Sequence, residues 1–194
     1  MKNTTARLTL TALFVALILL FGLTPVGLIP LGFVNVTILC VPVIVGTLLL
    51  GLKTGLVLGA CFGTVSALSA FGVIGTPSSL AGALVAASPA LALIMCFLPR
   101  LLVPVVAWLV FRLFSGGRRG AKAVPFAAIA GSLTNTVFYL GLMLLFYIIM
   151  GINSEKVLAL ICGTGLIAGS LEAVVAAVIS TPILAALWKV SKIN

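Results

Sequence analysis

Read for its hydrophobic and polar positions, the chain is a series of long apolar runs broken by short stretches rich in glycine, proline and serine. The runs predict helices at about 8–22, 36–50, 55–71, 87–114, 124–150 and 157–188. The expected fold is therefore an all-α membrane protein: one domain over residues 1–194, six transmembrane helices in a single bundle. Lys2 and Arg7 ahead of the run Leu8 to Phe21 imitate a signal peptide, but no small-x-small cleavage site follows, so the run is read as a retained first span. Thr24 to Asn35, with Pro25, Gly27, Pro30 and Gly32, reads as a turn-rich connection. Pro42 predicts a kink, and Gly163-Thr164-Gly165 an early break in the last helix. Helix 3 carries Gly55, Gly59, Gly63 and Ala67 at four-residue spacing, a row that lets another helix approach closely, as static packing or as a moving contact. Gly72 to Ser88 is small, polar and uncharged, which suits a loop over a pocket or a plain outer connection.

Composition strengthens this picture. With 63% hydrophobic residues, 7% charged and a mean hydropathy of +1.43, the sequence excludes a soluble domain. The net charge of +9 comes from 11 Lys+Arg against 2 Asp+Glu, yet it does not point to nucleic acid. Six helices place both termini on one side, and with that side cytoplasmic Lys2, Arg7, Lys53, Arg112, Arg118, Arg119, Lys122, Lys189 and Lys192 all lie inside. Only Lys156 falls on an outer connection, which is the ordinary charge bias of a multi-pass protein of the bacterial cytoplasmic membrane. There is no His, and Cys40, Cys61, Cys96 and Cys162 stand singly in apolar runs, so no metal site is expected and the thiols read as small buried hydrophobes. No P-loop, HExxH or GxSxG occurs, so neither ATP hydrolysis nor any other catalysis is expected of this chain. Two acidic residues are too few for a typical proton relay, and the chain is short for two inverted repeats. It reads as a binding subunit that needs partners.

One charge stands against the pattern. Arg100 lies twelve residues deeper than Arg112 in the fourth long run, roughly 18 Å from that interface. A cation there requires a partner, a cavity or a ligand. By the same reckoning Asn135, Glu172 and Asn35 lie roughly 20–27 Å from the basic ends of their helices, in the same outer half. Ser132, Thr134 and Thr136 accompany Asn135, and Thr76, Ser78 and Ser79 enter from the adjacent loop. These residues are the candidate lining of a small-molecule pocket open to the outside. Arg100 offers a carboxylate its fork of donors, and Asn135 offers both a donor and an acceptor. Arg100 and Glu172 also suit a structural ion pair, which does not preclude ligand binding. Tyr139, Tyr147 and Trp108 could line the cavity too, but each reads first as an interfacial or lipid-facing aromatic.

Several stretches together resemble the substrate-binding S components of energy-coupling factor (ECF) transporters: the AxxxA pattern Ala12-Leu13-Phe14-Val15-Ala16, Gly27 to Gly32, Val41 to Gly46, Gly51 to Lys53, the glycine row of helix 3, Pro99-Arg100, and Gly131 to Thr136. The resemblance implies a subunit that captures a vitamin from outside and docks on a T component carrying two ATPases, which hydrolyse the ATP. It implies that Ala12 and Ala16 form the docking surface and that Gly72 to Ser88 covers the substrate. GSLTNT and the IPLG region look most like the pantothenate-type members, with riboflavin or another vitamin as the alternative cargo. A non-transport membrane scaffold or assembly factor is the alternative of a different class, distinguished by which proteins co-purify.

Overall fold

The apolar runs fold as helices that bury small and branched residues together in a shared core and leave other branched residues, such as Leu113, Val137 and Ile167, exposed. The computed structural model describes residues 4–24, 28–30, 35–74, 78–116, 120–152, 155–160, 163 and 165–190. Helix α1 spans Thr4–Leu23, α2 Cys40–Leu50, α3 Leu52–Ala70, α4 Ser79–Ala87, α5 Pro89–Ser115, α6 Val124–Ile149, α7 Glu155–Leu160 and α8 Leu166–Val190. Strands β1 (Leu28–Pro30) and β2 (Asn35–Thr37) form an antiparallel ribbon between α1 and α2.

Among the described residues five helices, α1, α3, α5, α6 and α8, are long and apolar enough to cross a membrane. The run expected at 36–50 is shorter as a helix, because residues 35–37 pair as a strand. The 11 residues of α2 rise roughly 16 Å, about half the hydrocarbon core. They are nevertheless the most enclosed part of the chain, with Val43 and Ile44 fully buried. The stretch expected as a loop at Gly72 to Ser88 contains α4. Ser78 caps it, its Oγ accepting the Ala81 N–H at 3.3 Å, and the extended backbone of Ser88 separates it from α5.

Helix α5 begins with Pro89 at a position where no N–H is needed and holds two further prolines, Pro99 and Pro104. Each interior proline leaves the carbonyl four residues earlier without its helical donor, namely those of Met95 and Arg100. Helices α3 and α5 meet along the predicted glycine row. A Cβ added at Gly59 would sit 2.6 Å from the Arg100 carbonyl oxygen, and one at Gly63 2.7 Å from the Phe97 ring.

Two apolar clusters fill the bundle. One gathers Leu10 of α1, Leu50 of α2, Phe111 of α5, Val124 of α6 and Leu184 of α8. Aromatic pairs Phe111–Trp188 and Phe114–Phe126 tie the same helix ends together, and Arg7 donates to the Leu50 carbonyl at 3.1 Å. The other gathers Ala70 of α3, Leu84 of α4, Met95 of α5, Tyr147 of α6 and Val157 of α7. The polar residues deep in the bundle lie between these clusters.

Candidate functional site

A cavity of about 770 Å³, its open mouth included, is walled by α3, α4, α5, α6 and α8. Neither α1 nor α2 contributes a lining residue. Phe62, Ser66 and Ser69 project from α3 at helical spacing, opposite Asn135, Thr136 and Tyr139 of α6.

Arg100 is 4% exposed and lies on this wall. Its Nη1 donates to the Met95 carbonyl at 3.1 Å, which is the acceptor that Pro99 leaves free. The guanidinium carbon is 4.5 Å from the Tyr139 ring centroid and 5.3 Å from that of Phe62, so two aromatic faces hold it by cation–π attraction. Its Nε is buried without a hydrogen-bond partner. Asn135 is 6% exposed, and its Oδ1 is likewise buried and without a partner. Each such group costs about 1–3 kcal/mol while unmet. A donor and an acceptor, both unmet, thus belong to two residues that line one cavity.

Glu172 of α8 reaches the same cavity and accepts a hydrogen bond from Cys40 Sγ at 3.4 Å. Cys40, expected as a mere small hydrophobe, therefore holds the carboxylate as well as filling space. Of the other expected residues, Ser78 lines the cavity while its Oγ caps α4. Ser79 is exposed and does not line it. Thr134 spends its hydroxyl on the Ala130 carbonyl at 2.7 Å. Ser132 is fully buried away from the wall, its Oγ without a partner. Thr76 and the side chain of Asn35 lie outside the described residues, though the Asn35 backbone pairs with Pro30. Thr136, by contrast, joins the wall, and Gly169 packs against it.

Three aromatics were expected at the interface or facing lipid. Tyr139 instead lines the cavity and stacks on Arg100. Tyr147 is buried and donates its hydroxyl to the Leu80 carbonyl at 2.7 Å, latching α4 to α6. Trp108 supports the Arg112 guanidinium at 4.7 Å. Phe62, Ser66 and Ser69 were missed as wall residues, although Phe62, Val65, Ser66 and Ser69 share one face of α3 and a helical wheel would have grouped them. Far from the cavity, Ala12 and Ala16 sit together on the exposed face of α1.

Comparison with known proteins adds two findings. The family described as "ECF transporter, substrate-specific component" matches residues 6–184. The chain is also similar to the "Pantothenic acid transporter PanT" of Lactococcus lactis subsp. cremoris (strain MG1363), at 30% identity over 97% of this chain and 96% of that protein.

Proposed function

This chain belongs to the substrate-specific components of ECF transporters, and from that premise we propose that it binds pantothenate from the outer face of the cytoplasmic membrane. The observation that carries the reading is the pair of unmet groups in one cavity, Arg100 Nε as donor and Asn135 Oδ1 as acceptor. Pantothenate has a carboxylate for the first and hydroxyls and an amide N–H for the second. The lactococcal relative supports that choice of cargo. A charge-assisted bond to a desolvated guanidinium is the strongest single contact available here.

Six crossings, with α2 and the β1–β2 ribbon together making the second, put both termini in the cytoplasm. The basic residues Arg7, Lys53, Arg112, Lys122 and Lys189 then face inward. Docking on a T component runs through α1, and two partner ATPases hydrolyse the ATP.

Isothermal titration of the purified protein tests the cargo. Pantothenate gives saturable heat, and Arg100→Ala weakens binding by at least about 2 kcal/mol, roughly thirtyfold. No heat with pantothenate on the unmodified protein refutes the assignment.

A further inference from the structure

We infer that Glu172 is a charge filter that makes this site reject phosphorylated forms of its own cargo, an inference that rests on the pantothenate reading above. Among the described residues lining the cavity, Arg100 is the one cation and Glu172 the one anion, so the lining is electrically neutral. A monocarboxylate is matched by Arg100. No second cation in that described lining meets a second negative charge.

The carboxylate is an unusual thing to keep at this depth. The whole chain has 2 acidic residues, and one of them stands half-buried on the wall of the binding cavity. A structural filler would be apolar, as its neighbours Ala168 and Ala173 are. Cys40 Sγ, 1% exposed, holds one of its oxygens at 3.4 Å and so fixes where the charge sits. An ionised carboxylate only accepts hydrogen bonds. Ligand hydroxyls can serve it, because they donate.

Esterifying one of those hydroxyls with phosphate reverses the match. The hydroxyl donor disappears, three acceptor oxygens replace it, and about −1.5 to −2 of charge arrives. That charge meets Glu172 across a low-dielectric wall, where like charges repel strongly. Arg100 is already engaged by the carboxylate.

The test compares pantothenate with its phosphate monoester by isothermal titration on the unmodified protein, Glu172→Gln and Glu172→Asp. The unmodified protein should favour pantothenate by roughly a hundredfold or more. Glu172→Gln, which removes the charge and keeps the shape, should weaken pantothenate severalfold yet narrow that ratio about tenfold. Glu172→Asp, which keeps the charge, should preserve most of the discrimination. If the unmodified protein binds both compounds equally, the filter is refuted and the pantothenate assignment stands. An unchanged ratio in Glu172→Gln also refutes the filter. If the unmodified protein binds neither compound, the cargo assignment falls and the filter with it.

Discussion

Pro99 and Arg100 act on the same carbonyl. Proline has no N–H to give Met95, and the next residue's Nη1 donates there instead, at 3.1 Å. The helix's missing bond and the arginine's anchor are thus one arrangement, and it leaves Nε buried without a partner on a residue that lines the cavity. Pro99→Ala should restore a backbone N–H that competes for Met95 and releases the guanidinium. Pantothenate affinity should fall by on the order of tenfold while the melting temperature in detergent holds or rises. A melting temperature that drops in step with affinity would show that the proline matters to folding alone. The importance of Arg100 was legible because a charge inside an apolar run has few physical excuses. The place of Cys40 was not, since a thiol in such a run reads as filler, and Tyr139 stayed open, since an aromatic there suits a cavity wall or a lipid-facing surface. Only the rotation of α6 and α2 about their axes decides what those side chains meet.

At the scale of elements, α3 and α5 approach until a glycine hydrogen faces a peptide carbonyl. Because the atom nearest an added Cβ at Gly59 is the Arg100 backbone oxygen, at 2.6 Å, no side-chain rotation relieves the clash. Gly59→Ala should force the helices apart, lowering the melting temperature by several degrees and weakening pantothenate binding together. Gly82 in α4 has open space around it, so Gly82→Ala should be neutral or stabilising, by up to about 1 kcal/mol. Thermal unfolding of both variants by circular dichroism checks the contrast. The row Gly55, Gly59, Gly63 was legible from spacing alone, because four-residue periodicity fixes one face of a helix. Helix α4 was not, because Gly75, Pro77 and the two serines suggest a loop. The overlooked signal was Ser78 as a cap followed by apolar Leu80, Ala81 and Leu84. The short α2 escaped notice because hydropathy cannot tell a buried strand–helix junction from a continuous span.

For the whole molecule, the proposed recognition and docking surfaces fall on different helices. The cavity draws no residue from α1, the least buried of the five long helices, whose outward face carries Ala12 and Ala16. Ala12→Trp or Ala16→Trp should therefore abolish vitamin uptake by cells while leaving titration of the isolated subunit unchanged. Loss of both activities would show that α1 is only structural. That several polar residues converge at one depth was readable from their distance to the basic helix ends, because helical rise is nearly constant. Which of them share a wall was not, since depth says nothing of azimuth: Arg100, Asn135 and Glu172 meet, whereas Ser132 and Thr134 do not. The locked seam between Gly59 and Arg100 has a pharmacological corollary. On the proposed reading the acid end of a cargo is gripped beside that seam, while part of the remaining wall comes from the nine-residue α4 and the start of α8. Uncharged bulk appended far from the acid group should be admitted, making the carrier a doorway through which disguised inhibitors enter the cell.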